Sequence, residues 1–237
     1  MSERRKIYTS FHELSPSEYM YFPKGSIDAG NPGRFSSLEL RHLLISMAVL
    51  TLAFSFAFSG NSILYGFTDL RRLVFSIPIA FLGILTAFFF HELSHKFMAQ
   101  KYGLWAEYRM YPNGLLLSLI FAVFTGFVFA APGAVMFQGG SHSYETGRIA
   151  AAGPSANIVI AFCSFLVYRI FFEIDSPLLK IIGFICLINA LLATFNLVPL
   201  GPLDGNKVIR WNGIVWASLF IVSLVLLLLI LPIAPLF

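Results

Sequence analysis

Six apolar runs, separated by polar, charged or glycine-rich residues, dominate the chain after its first 40 residues. The runs cover residues 42–59, 73–100, 115–131, 149–172, 178–199 and 214–231. A helix of about 20 apolar residues spans the hydrocarbon core of a bilayer, and most of the runs reach or approach that length. The pattern predicts an all-α integral membrane protein with about five to six transmembrane helices.

The segments between the runs are polar or glycine-rich and contain two candidate strands. Residues 105–111 alternate loosely between apolar and polar side chains, and residues 134–137 form a short apolar stretch. We predict that both form short, membrane-associated β-strands. Residues 1–40 mix charges with Pro, Gly and Ser and lack a short apolar core, so we expect a polar arm and no cleaved signal peptide. The transmembrane domain would then occupy residues 41–237.

Composition supports this interpretation. The chain has 237 residues, of which 57% are hydrophobic and 12% are charged, and its mean hydropathy is +0.78. Soluble domains carry about 25% charged residues. The net charge of +4 is small and scattered along the chain. We therefore expect a lipid bilayer as the environment and no nucleic acid as a partner.

The second run contains the main chemical clue, His91-Glu92-Leu93-Ser94-His95. Histidines four residues apart lie on one face of a helix, where both rings can bind one metal ion. Glu92 lies beside them and could accept a proton from metal-bound water. The alternative is a hydrogen-bonded polar cluster that only packs helices together.

Catalytic zinc normally has three protein ligands and a water molecule. Within the apolar stretches after the first run, the acidic residues are essentially Glu92 and Asp204. A charge at the centre of a membrane costs at least ~2.5–3.5 kcal/mol, so Asp204 requires a partner, and a divalent metal would be one. The alternative for Asp204-Gly205 is a helix-ending turn at the membrane surface. Lys96 is predicted to extend to the membrane interface.

Three motifs resemble the site-2 protease family of intramembrane zinc metalloproteases. In chain order they are His91-Glu92-x-x-His95, Gly153-Pro154-x-x-Asn157 and Asn196-x-x-Pro199-x-x-x-x-Asp204-Gly205. The resemblance covers about residues 73–205, the catalytic core of the family, and the third motif is the most specific. No insertion between the motifs is long enough for a PDZ domain, so the chain resembles a minimal member.

The resemblance implies roles for six residues. One zinc ion per chain would be bound by His91, His95 and Asp204, and Glu92 would be the general base. Asn157 and Asn196 would help to hold the substrate or the oxyanion.

The implied activity is that of a zinc metalloendopeptidase that cleaves transmembrane segments of other membrane proteins through zinc-activated water. The substrate helix must unwind locally, and we expect it to pair as an added strand with residues 134–137 or residues 105–111. A membrane zinc carrier is the alternative, but transporters usually show repeats and no repeat is visible. A non-catalytic binder of membrane proteins is the third possibility, although it would not need Glu92. The oligomeric state is left open.

One metal requires its three ligands at the same membrane depth, and this requirement constrains the topology. The histidines lie near the end of the second run, and Asp204 follows the fifth. If residues 115–131 crossed completely, Asp204 would emerge on the opposite face from His95. We therefore predict that residues 115–131 form a re-entrant hairpin or a membrane-surface element, bent near Thr125-Gly126.

Charge distribution favours the same topology. With five crossings, 12 of the 16 Lys and Arg residues share one side and four lie on the other, namely Arg71, Arg72, Arg169 and Lys180. With six crossings the division is 11 against 5. The positive-inside rule then predicts a multi-pass protein of the cell membrane, with the N-terminus and the opening of the active site on the cytoplasmic side.

Overall fold

The computed structural model describes residues 35–64, 66, 69–128, 132–138, 143–172 and 176–232. In chain order its elements are α1 Ser37–Ser59, α2 Leu70–Ile84, α3 Phe90–Lys101, β1 Trp105–Met110, α4 Pro112–Thr125, β2 Gly133–Gln138, α5 Ser143–Ile170, α6 Pro177–Asn196, α7 Asp204–Trp211 and α8 Gly213–Ile230. A π-helical turn, Leu85–Phe89, joins α2 to α3. Residues 1–34 of the predicted N-terminal arm lie outside the described residues.

Among the described residues, five helices are long and apolar enough to cross a membrane. They are Ser37–Ser59, Leu70–Lys101, Tyr144–Ile170, Pro177–Asn196 and Gly213–Ile230. Leu70–Lys101 comprises α2, the π-helical turn and α3. The prediction of an all-α membrane protein is confirmed, and the sixth apolar run is accounted for by the shorter helix α4. Its 14 residues rise about 21 Å, less than the ~30 Å hydrocarbon core.

Both predicted strands are present and pair with each other. Strands β1 and β2 are antiparallel, with a register that runs from Trp105 opposite Gln138 to Met110 opposite Gly133. Just beyond the last pair, the Tyr111 amide donates a hydrogen bond to the Pro132 carbonyl oxygen at 2.9 Å. The two ends of the segment that connects β1 to β2 therefore lie side by side at one end of the sheet.

Helix α4 extends from this sheet to the connection between α1 and α2. It ends at Gly126, whose φ of 72° is left-handed and favours glycine. Near that end, the amides of Ile63 and Leu64 donate hydrogen bonds to the carbonyl oxygens of Val123 and Phe124, at 2.8 and 3.0 Å. Helix α4 thus lies along α1 and ends at Thr125-Gly126, where the sequence predicted a bend.

Close packing holds the helices around α3. Small residues, including Ala161, Ala190 and Ala193, are fully buried between α5 and α6 and let these helices approach closely. A second cluster joins α1, the π-helical turn and β1, where the Phe88 ring packs edge-on against Tyr108 with 5.5 Å between centroids. Helix α3 packs against α5 and against the antiparallel strand pair β1–β2, which is called the β-hairpin from here on.

Candidate metal centre

Helix α3 brings two imidazole rings together directly after the π-helical turn. His91 and His95 are one helical turn apart, and their Nε2 atoms are 3.0 Å from each other. Both residues are buried. Such π-helical turns are rare and often occur at functional sites.

The third group comes from the first residue of α7. Asp204 Oδ2 lies 3.3 Å from His91 Nε2 and 3.1 Å from His95 Nε2. Asp204 is the first residue of α7, and the helix N-terminus favours a negative charge on its carboxylate.

Gly205 allows α7 to begin where it does. A Cβ atom at Gly205 would lie against the backbone of Leu197 and would be only 2.7 Å from the Val198 carbonyl oxygen. Any larger residue would push the start of α7 away from the end of α6. The Asp-Gly pair thus combines a ligand with the close approach that places it.

The other ring nitrogen of each histidine has a fixed partner. His95 Nδ1 lies 2.7 Å from the Ile149 carbonyl oxygen, and His91 Nδ1 lies 2.8 Å from Asn157 Oδ1. The Asn157 amide nitrogen in turn donates to the Ala87 carbonyl oxygen at 2.9 Å and to Asn189 Oδ1 at 3.2 Å. Because both partners of the histidines accept, each Nδ1 carries the proton and each Nε2 presents its lone pair to the site.

These groups fit a zinc ion. Two imidazole lone pairs and a carboxylate facing one another repel unless a cation lies between them. Tetrahedral zinc with ligands at about 2.0 Å separates the ligand atoms by about 3.3 Å, close to the distances of 3.0–3.3 Å observed here. Within the described part of the chain, these three residues are the only such group of metal-binding side chains. Three protein ligands leave a fourth position open, as in catalytic zinc sites.

Gly153 of α5 provides the space beside the ligands. A Cβ atom added at Gly153 would lie 2.7 Å from His91 Nε2 and nearer still to His95 Nε2. Only glycine leaves this side of the site unobstructed.

Glu92 is adjacent to the ligands without being one of them. Its side chain is buried, and Oε2 has no hydrogen-bond partner among the described residues. The backbone N–H of Val135 in β2 is directed toward the same carboxylate. A buried carboxylate oxygen without a partner is a costly feature. This arrangement leaves Glu92 able to accept a proton beside the metal site.

The two asparagines singled out from the sequence occupy different positions. Asn157 is fully buried and holds His91. Asn196 lies at the end of α6, and its amide nitrogen donates to the Leu192 carbonyl oxygen of its own helix at 3.1 Å. The roles predicted for both in holding the substrate or the oxyanion stay predictions.

The sequence analysis did not identify Glu39 as a buried charge, and it placed the Lys96 side chain wrongly. Lys96 does not reach the interface, because it is 1% exposed and pairs with Glu39, which is 0% exposed. The prediction for Lys96 is therefore wrong. A useful signal was the presence of one acidic residue, Glu39, at the start of the first membrane helix. Asn189, which supports Asn157, was also missed and has no motif of its own.

Comparison with known proteins identifies relatives with a common description. A protein named as a putative zinc metalloprotease, MJ0611 of Methanocaldococcus jannaschii, is 41% identical over 186 residues, which are 78% of this chain and 90% of the relative. The putative zinc metalloprotease YwhC of Bacillus subtilis is 26% identical over 158 residues, 56% of this chain and 68% of that protein. The zinc metalloprotease MJ0392, also from Methanocaldococcus jannaschii, is 27% identical over 132 residues, but these are only 33% of its length.

No family model matches the chain, and no solved structure matches it. The likeness to MJ0611 nevertheless extends over most of both proteins, and a site suited to zinc is formed by His91, His95 and Asp204. The chain belongs to the zinc metalloprotease family that includes MJ0611, and its five apolar helices make it a membrane member of that family.

Proposed function

We propose that the chain is an intramembrane endopeptidase of the site-2 protease type, which cleaves transmembrane segments of other membrane proteins. The observation that carries this proposal is the convergence of His91, His95 and Asp204 beside Glu92. Two of the ligands and the base belong to Leu70–Lys101, a helix long enough to cross a membrane. Ionisable groups in such a helix are expensive and usually functional.

The reaction is peptide-bond hydrolysis, and each polar group of the site has a task in it. When bound, zinc supplies a Lewis acid that activates water and polarises the scissile carbonyl group. Glu92 accepts the proton of the attacking water and delivers it to the leaving amine, so that no covalent intermediate is needed. Asn157 and the Ile149 carbonyl group hold the two imidazole rings in the required orientation.

The geometry of the β-hairpin supports binding of the unwound substrate as an added strand. In an antiparallel pair, alternate residues direct their backbone N–H groups away from the partner strand. The Tyr108 amide points away from β2, toward Glu39 Oε1 at 3.1 Å. The amide of its register partner, Val135, points away from β1 and toward Glu92. The outer edge of β2 thus faces the base, which favours β2 over β1 as the acceptor of the substrate.

The proposed location is the cell membrane, with the site opening toward the cytoplasm and the N-terminus on the same side. The five candidate crossings and the excess of Lys and Arg on one side support this orientation. The oligomeric state has no bearing on this proposal.

The test is cleavage of a labelled single-span substrate by the purified, zinc-loaded protein in lipid vesicles. Chelation of zinc and the substitution Glu92→Ala should each abolish cleavage. Glu92→Ala should retain about one zinc per chain, because Glu92 is not a ligand. Zinc flux across the vesicles without cleavage would indicate a zinc carrier instead. The absence of both flux and cleavage would indicate a non-catalytic binder.

A further inference from the structure

Three elements meet at a buried ion pair next to the metal site. Glu39 of α1 pairs with Lys96 of α3, and both side chains are almost completely buried. The second Glu39 oxygen, Oε1, accepts the backbone N–H of Tyr108 in β1 at 3.1 Å. The Lys96 ammonium group also lies 4.2 Å from the centre of the Phe35 ring. One carboxylate therefore joins the first membrane helix, the helix of the zinc ligands and the hairpin.

Glu39 does not make the local capping hydrogen bond that is usual at its position in a helix. Ser36 caps α1, and its hydroxyl oxygen accepts the Glu39 amide at 3.1 Å. In a capping box, a Glu at this third helical position reaches back to the N–H of the cap residue. Here both carboxylate oxygens are directed instead to Lys96 and Tyr108.

Stability alone is a weak reason for this arrangement. Burying two charges costs several kcal/mol for each ion, and an apolar pair of similar volume is often as stable. A buried pair can instead fix how elements fit together. The location of this pair points to such a task, because Lys96 directly follows the ligand His95. Glu39, Lys96, Glu92, Tyr108 and Val135 all line one cavity of about 10 Å³, roughly the space of a single water molecule.

We propose that Glu39 is a positioning residue that fixes the depth and register of the β-hairpin relative to Glu92. Glu39 occupies the outward N–H of Tyr108, in the middle of β1, so this edge is closed to a substrate strand. Lys96 supplies the positive charge that allows the Glu39 carboxylate to be buried at this place. The outer edge of β2 is thereby held facing the catalytic base. This inference rests on the proposed endopeptidase function.

Two double variants separate strand anchoring from charge pairing. Glu39→Gln with Lys96→Met removes both charges but keeps a side-chain oxygen that can accept the Tyr108 amide. Glu39→Leu with Lys96→Met also removes both charges and has no acceptor at position 39. The matched pair therefore differs mainly in the hydrogen bond to β1.

The measurements on full-length, zinc-loaded protein are zinc content, thermal stability, amide hydrogen exchange of residues 105–110, and the bond cleaved in a single-span substrate, read by mass spectrometry. We expect both variants to retain one zinc per chain. The Gln variant should cleave the wild-type bond within about threefold of the wild-type kcat/KM. The Leu variant should exchange the Tyr108 amide about tenfold faster, lose about tenfold in kcat/KM and cut at additional bonds, as expected for loss of one buried hydrogen bond.

Equal amide exchange in the two variants, or cleavage of one bond at equal rates, overturns the inference. Loss of zinc by the Leu variant alone also overturns it, because Glu39 would then support the whole fold and not the strand. If the wild-type protein cleaves nothing, the proposed endopeptidase function fails, whereas the exchange rates still decide whether Glu39 anchors β1.

Discussion

Asn157 Oδ1 lies 2.8 Å from Nδ1 of His91, a residue 66 positions earlier in the chain. The asparagine amide cannot rotate freely, because its nitrogen donates to the Ala87 carbonyl oxygen and to Asn189. The Asn189 amide nitrogen is itself bonded to Thr86 Oγ1 at 3.1 Å and to the Ile185 carbonyl oxygen at 2.8 Å. The proposed zinc ligand His91 is thus oriented by a hydrogen-bonded chain through α5 and α6.

This relationship predicts that the main effect of replacing Asn157 is weaker binding of zinc. Asn157→Leu should lower zinc affinity by about 10–100-fold, the usual cost of losing an outer partner of a ligating histidine. The affinity is measured by competition with a chelator of known strength. Asn196→Ala is the control, because the side-chain hydrogen bond of Asn196 is local to α6. Equal zinc affinities in the two variants would contradict the assignment.

Gly153 predicts a second effect on the ligands. In Gly153→Ala, the new methyl group would lie 2.7 Å from His91 Nε2 and closer to His95, which is shorter than any real contact of this kind. One or both rings must turn away, and we expect zinc content to fall below one half per chain, with matching loss of cleavage. Gly213→Ala is the control, since nothing lies within 4 Å of a Cβ atom there. Full zinc occupancy in Gly153→Ala would show that the rings can yield without loss of binding.

The convergence of the three candidate ligands could be predicted because such residues are unusual in their setting. His91, His95 and Asp204 are polar groups in or next to apolar segments, so each required a partner. What the sequence could not reveal is which of several polar residues in apolar helices face each other. Asn157 was recognised, but its bond to His91 depends on the packing of α5 against α3. Glu39 and Lys96 lie 57 residues apart, and no local pattern connects them.

The fold was predictable to a similar extent, for similar reasons. The apolar runs and the breaks between them define the membrane helices, because the apolar character that a membrane helix needs can be read directly from the sequence. The strands Trp105–Met110 and Gly133–Gln138 were expected individually, but their register is a tertiary property. The prediction that residues 115–131 do not cross completely came from the need for three ligands to meet, and the distribution of Lys and Arg agreed with it. Hydropathy by itself would have made this segment a sixth crossing.

The re-entrant course predicted for residues 115–131 places the positions before and after this segment on one side of the membrane. Lys101 precedes the segment of residues 115–131 and Arg148 follows it, and the Arg148 guanidinium group lies 3.3 Å from the hydroxyl group of Tyr102. In a cysteine-free background, Lys101→Cys and Arg148→Cys should therefore react with a membrane-impermeant maleimide from the same side, and Leu64→Cys from the other. Reaction of positions 101 and 148 from opposite sides would require that the segment crosses completely.

The β-hairpin offers a sharper test of how the substrate is bound. Phe137 and Ala106 are register partners, and the alternation set by Tyr108 makes both N–H groups point outward, on opposite edges of the sheet. Proline at either position removes an outward N–H without removing a hydrogen bond between the strands. Because β2 faces Glu92, we expect Phe137→Pro to reduce kcat/KM at least about tenfold and Ala106→Pro to be much less harmful, with zinc content unchanged in both.

Phe137→Ala separates the loss of the phenyl ring from the loss of the N–H, and it should retain most of the activity that Phe137→Pro loses. Cleavage rates are compared on one single-span substrate at several concentrations, so that a change in KM is distinguished from a change in kcat. If the substrate pairs with the β2 edge, the loss of activity in Phe137→Pro should appear mainly as a higher KM, since Glu92 and the ligands are untouched. The reverse order, with Ala106→Pro inactive and Phe137→Pro active, would move the substrate to β1 and would also remove the role proposed for Glu39 in closing that edge.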